Sequence, residues 1–214
     1  MRVFTTALCL SVVLAILSVI FGLAERAGPP KVAGFLWPVQ PQMQAFVLDD
    51  ARGGSLDQET LRGHWTLLFL GYTHCPDICP TTLATLKAAN AALADSAPWT
   101  ASGQVLFVSV DGERDTPALL KQYVGYFNPA FRAATGTVAQ LHLLTTQLDI
   151  RYSRLSAEDP SQWWYDHSAH IVLIGPTLQI VALFEAPHVA TDLAERVRTL
   201  LGYLTDPAHN RAAP

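Results

Sequence analysis

Two uninterrupted apolar runs constrain the fold of this chain most: "WTLLFLGYT" (65–73) and "QVLFVSVDG" (104–112). A strand with one wet face alternates apolar and polar residues, whereas a strand covered on both faces reads as a continuous apolar run. Each run therefore needs cover above and below. The segments that follow supply it. "PTTLATLKAANAALADSA" (80–97) reads as a helix, with Pro80 in its first turn and an apolar face of Leu83, Leu86 and Leu93. "TPALLKQYVGYF" (116–127) reads as another, with Thr116 as N-cap and Pro117 at the first helical position.

Other elements fall around these. "AFVLDD" (45–50) is a short strand, 53–63 a turn with a small helical piece, and 137–150 a helix. "HIVLIGP" (170–176) and "LQIVALFEA" (178–186) form a hairpin turning at Gly175-Pro176. "TDLAERVRTLLGYL" (191–204) is a closing amphipathic helix capped by Thr191. Strand, cysteine-bearing loop, helix, then a late hairpin and a terminal helix is the order of a thioredoxin-like domain: α/β, a mixed sheet with helices on both faces.

The chain begins differently. "VFTTALCLSVVLAILSVIFGLA" (3–24) carries no charge. At ~1.5 Å per residue it can cross a bilayer core of ~30 Å. Residues 1–24 are read as a transmembrane anchor, with a cleaved signal peptide as the alternative. Arg2 before the run favours a cytoplasmic N-terminus and an exported body. That places the chain in a bacterial inner membrane as a single-pass protein, its domain in the periplasm. Residues 25–44, with four prolines, read as a tether. Residues 45–204 are the domain and 205–214 a flexible tail.

A net charge of −4 and 15% charged residues give no basic field, which argues against a nucleic-acid partner. Three cysteines are too few for a disulfide scaffold. Cys9 lies in the apolar run as filler. Cys75 and Cys79, in "GYTHCPDICPTTL" (71–83), stand at a strand-to-helix junction, where the helix N-terminus lowers thiol pKa values. That suits metal ligation and disulfide exchange alike. A buried structural disulfide is the blander reading, and the position in a turn at a helix start argues against it.

Two thiolates plus an imidazole suit copper. Among the histidines, His167 in "YDHSAHIVLIGP" has the best topological claim, because the loop before that strand faces the cysteines in a thioredoxin-like fold. His170 is a weaker, auxiliary candidate. His64, His74, His142 and His209 are poorly placed, and His188 reads as exposed in a loop. Asp111, Glu113, Arg114 and Asp115 resemble a carboxylate cluster, but a loop with local ion pairs and a helix cap explains them more simply.

"GYTHCPDICP" (71–80), "VSVDGERDTP" (108–117) and "DHS" (166–168) ahead of "IVLIGP" resemble the Sco/SenC family of copper-binding assembly factors for cytochrome c oxidase, over roughly residues 45–204. The resemblance implies a thioredoxin-like fold and copper ligands Cys75, Cys79 and His167. It casts Asp166 as the residue orienting the ligand loop. It implies copper as Cu(I), and Cu(II) when oxidised, passed to the CuA site of cytochrome c oxidase subunit II. Other copper chaperones or thiol–disulfide reductants are implied as further partners. Gly112 stands where the family usually has proline, which should loosen that loop, and "WWY" (163–165) is unusually aromatic. The competing function is a membrane-anchored thiol–disulfide oxidoreductase using Cys75 and Cys79 on the oxidase cysteines. A peroxidase is disfavoured because Thr73 is displaced from the place such a site needs. No catalytic residue is assigned, and the reading is of a metallochaperone rather than an enzyme.

Overall fold

The structure, a computed structural model, describes residues 28–207 apart from 37 and 157–161, together with 13, 15 and 18. The expected anchor lies almost wholly outside the described residues, as does most of the expected tail. Among the described residues no helix is long and apolar enough to cross a membrane. Along the chain come β1 (Val47–Asp50), β2 (Ser55–Asp57), α1 (Gln58–Leu61), β3 (Trp65–Gly71), α2 (Ile78–Ala92), α3 (Ala97–Ser102) and β4 (Gly103–Ser109). There follow α4 (Pro117–Phe127), β5 (Arg132–Thr135), α5 (Val138–Gln147), β6 (Tyr152–Ser156), β7 (Trp163–His167), β8 (Ile171–Ile174), β9 (Ile180–Phe184) and α6 (Ala190–Thr205).

Seven strands form one sheet in the order β2-β1-β5-β4-β3-β8-β9, and β6 pairs with β7 as a separate hairpin. β3, β4 and β5 are parallel, while β8 runs antiparallel to β3. Every residue of β3 is buried, as its unbroken apolar run requires. α2 packs against α6 and α4. This topology makes the site. The loops leaving β3 and β4 emerge at one edge of the sheet. Ile171 of β8 lies opposite Phe69, so the residues before β8 arrive at the same edge.

Three local readings change. The helix expected over 80–97 starts earlier and stops sooner, running from Ile78 to Ala92, and a separate short helix, α3, opens at Ala97 with Pro98 in its first turn. α6 starts at Ala190, so Thr191 lies inside it rather than capping it. Residues 35–36 and 41–43, expected within the tether, run along β9. Leu36 N–H donates to Val181 O at 2.9 Å, Ile180 N–H to Pro41 O at 2.8 Å, and Met43 is buried. The reason is that β9 ends the sheet, and its open backbone groups and apolar surface need a cover. β5 and the β6–β7 hairpin are additional elements that the sequence pattern does not announce.

Candidate metal centre

Cys75 sits just before α2 and Cys79 is its second residue. Both are buried and unbonded to each other. Cys79 can lie this deep because β3 ends in glycine: a Cβ on Gly71 would stand 2.7 Å from Cys79 Sγ and 2.9 Å from Phe107 Cε2. Cys79 N–H, free of any acceptor within its own helix turn, donates to Cys75 Sγ at 3.4 Å. The Cys79 thiol's hydrogen bond, helped by the His167 imidazole and then by the backbone N–H groups of Cys79 and Asp77, outweighs burial and brings the Cys75 thiol down to about 4. The same bond, together with burial, pushes the Cys79 thiol up. The pair therefore shares one proton, with Cys75 the thiolate.

His167 is the last residue of β7, not a loop residue. In the hairpin, Trp163, Tyr165 and His167 face inward while Trp164 and Asp166 are exposed. His167 Nε2 lies 3.4 Å from Cys79 Sγ, and Nδ1 donates to Ser168 O at 3.2 Å. In the neutral ring, donation from Nδ1 puts the lone pair on Nε2, the nitrogen that faces the sulfurs and the one a metal would take. Phe69 and Tyr72 meet the imidazole edge-on, at centroid distances of 6.2 and 6.1 Å. One ligand atom from each of Cys75, Cys79 and His167 lies within 4.8 Å of the others.

The remaining sequence candidates fall elsewhere. Asp166, expected to orient the ligand loop, points outward because strand alternation opposes it to His167, and the Ser168 carbonyl holds the imidazole instead. His170 is half-buried outside the cluster. His188, read as exposed, is half-buried with Nε2 2.6 Å from Ala169 O, and burial lowers its pKa. His64 Nδ1 lies 3.1 Å from Ser102 O. His209 lies outside the described residues.

Sequence reasoning missed what holds the cysteine loop. Asp115, fully buried, accepts from Thr73 N–H at 2.8 Å, Thr73 Oγ1 at 2.5 Å and Ser109 Oγ at 2.5 Å. The "ERDTP" loop after β4 is thus fastened to the residues preceding Cys75. The local ion pair and the cap are also present: Arg114 Nε donates to Asp111 Oδ2 at 2.5 Å, and Thr116 Oγ1 accepts from Leu119 N–H at 3.3 Å.

A profile of the SCO1/SenC family matches residues 38–202. The chain belongs to the SCO1/SenC family. It is 33% identical over 153 residues to the mitochondrial SCO2 homolog of Bos taurus, covering 72% of this chain and 57% of that protein's length. Copper-bound ScoI of Arabidopsis thaliana matches with a TM-score of 0.70 at 29% identity, covering 76% of this chain and 99% of that one. Copper-bound yeast Sco1 matches with a TM-score of 0.71 at 27% identity, covering 81% and 96%.

Two features of this SCO1/SenC chain depart from the usual motif and have clear physical roles. A Cβ at Gly112 would stand 2.2 Å from Gly136 O, so glycine permits a close backbone approach there instead of loosening the loop. Trp163 lies under two guanidinium groups, Arg114 at 4.3 Å and Arg154 at 4.0 Å from the ring centroid. Arg114 Nη1 also donates to Trp163 O at 3.2 Å, and Arg154 Nη1 to Glu113 at 2.9 Å. These contacts clamp the hairpin that ends in His167 onto the loop after β4. Each stack is worth roughly 0.5–2 kcal/mol. Trp163→Ala is therefore expected to speed amide hydrogen exchange in β6 and β7 about 10-fold while leaving β3 and β4 unchanged. Unaltered exchange in the hairpin would show that the stacks hold nothing. Beside His167 opens a groove of about 760 Å³, lined among others by His142, Asp149, Tyr152 and Asp166.

Proposed function

We propose that this chain binds copper through Cys75, Cys79 and His167 and delivers it to the CuA site of cytochrome c oxidase subunit II. The observation that carries the reading is the convergence of two sulfurs and one lone-pair nitrogen within 4.8 Å. Soft thiolates select monovalent copper, and the imidazole also supports Cu(II) when the metal is oxidised. Membership of a family of copper-binding proteins of oxidase assembly, and copper-bound relatives of the same fold, support it. Residues 1–24 anchor the chain in a bacterial inner membrane with the domain in the periplasm. Another copper chaperone supplies the metal, and a thiol–disulfide reductant keeps the thiols reduced.

A second reading draws support from the Cys75 thiolate beside a protonated Cys79. In it, Cys75 attacks a disulfide of subunit II and Cys79 resolves the mixed disulfide. Two electrons pass to the partner, which gains two thiols while this chain gains one disulfide. One experiment separates the two. The full chain in detergent, loaded with Cu(I), is mixed with metal-free, reduced subunit II, and copper in each protein is measured after separation. Delivery predicts copper in subunit II. Copper retained by the donor, together with thiol release from oxidised subunit II by the reduced metal-free chain, favours the reductase.

A further inference from the structure

A second group of potential ligands stands beside the thiol centre. One ligand atom from each of His74, Asp111 and Asp115 lies within 4.8 Å of the other two. Both carboxylates are fully buried, and the half-exposed His74 ring connects the group to solvent. Among the described residues one guanidinium, that of Arg114, pairs with them, through Asp111 Oδ2. Two buried carboxylates thus share one guanidinium, which reaches only Asp111. Asp111 Oδ1 is buried with no hydrogen-bond partner, an expensive arrangement for a carboxylate oxygen. Asp115 accepts three hydrogen bonds, from Thr73 N–H, Thr73 Oγ1 and Ser109 Oγ, of roughly four it can take. His74 Nδ1 lies 3.1 Å from Thr73 Oγ1 and 3.6 Å from Asp115 Oδ1, and Asp111 Oδ1 stays unmatched.

We propose that His74, Asp111 and Asp115 form a second cation site that takes a borderline divalent transition ion through one imidazole nitrogen and two carboxylate oxygens. Such a donor set suits Zn(II), Co(II) or Cu(II) and lacks the sulfur that selects Cu(I). Water fills the remaining positions on the His74 side. The two neighbouring sites then sort ions by softness, and an ion here places positive charge one residue from Cys75. The proposal does not depend on the copper reading.

Co(II) serves as the probe, because sulfur ligation adds a charge-transfer band that oxygen and nitrogen ligation lacks. In a full chain in detergent carrying Cys75→Ser, Cys79→Ser and His167→Ala, one equivalent of Co(II) is expected to bind without that band. Adding His74→Ala or Asp111→Asn should weaken binding at least about 10-fold, the loss that even an outer partner of a metal ligand produces. Absence of binding, or binding unmoved by both substitutions, overturns the proposal. Circular dichroism checks that the substituted chain folds. If it does not, the unsubstituted chain decides against its own His74→Ala and Asp111→Asn variants: it should take one more equivalent of Co(II) than either, and equal uptake overturns the site.

Discussion

Replacing His167 by Ala is expected to weaken copper binding by the full chain at least about 10- to 100-fold, since removing only an outer partner of a ligand already costs that much. The imidazole is the one donor not supplied by the cysteine loop, and it reaches the sulfurs from 88 residues away with Nε2 3.4 Å from Cys79 Sγ. Its loss leaves two sulfurs and no nitrogen, and Cu(II), the harder ion, should suffer more than Cu(I). Competition against a Cu(I) chelator measures the first effect, and the nitrogen hyperfine pattern of the Cu(II) spectrum the second. Disulfide exchange should survive, because both thiols and the helix N-terminus remain. Full copper affinity in His167→Ala would remove the imidazole from the site. Equal turnover of a mixed disulfide by Cys79→Ser and the unsubstituted chain would remove the reductase role.

Asp115→Ala should be the most destabilising substitution outside the apolar core. It strips partners from Ser109 Oγ, which is buried, and from Thr73 N–H and Oγ1, which are partly buried. Each unsatisfied buried donor costs roughly 1–3 kcal/mol, so a loss of about 3–5 kcal/mol is expected, lowering Tm by about 10 °C. Thr73 lies two residues before Cys75, so the copper site should loosen along with the fold. Glu113→Ala supplies the comparison. It breaks an ion pair whose two side chains are 38% and 58% exposed, and exposed pairs contribute at most about 1 kcal/mol. Thermal unfolding of both variants checks the contrast. Equal Tm values would mean that the buried carboxylate fastens nothing.

Where burial is written into a continuous run, sequence is a good guide to this fold. β3 and β4 are legible because a strand covered on both faces has no polar alternation to hide behind. Pro117 after Thr116 marks the start of α4 for a similarly local reason. β5 is "RAAT", short and alanine-bearing, and only its pairing with β4 and β1 makes it a strand. The β6–β7 hairpin is mostly exposed on β6, so it lacks the apolar alternation that would have announced it. The convergence of Cys75, Cys79 and His167 is legible from residue type and from the order of elements. Asp166 faces away from the sulfurs because its segment is a strand, in which neighbours alternate, and not a loop. The Asp115–Thr73 fastening and the need for Gly71 arise from contacts between distant segments, which no local pattern encodes.

The proposed centre places two sulfurs and one nitrogen on a single copper ion. X-ray absorption at the copper edge of the full chain loaded with one equivalent of Cu(I) tests it most directly. The expected spectrum shows two sulfur scatterers and one imidazole nitrogen, with the nitrogen gone in His167→Ala. A copper with sulfur neighbours alone in the unsubstituted chain, indistinguishable from His167→Ala, would contradict it.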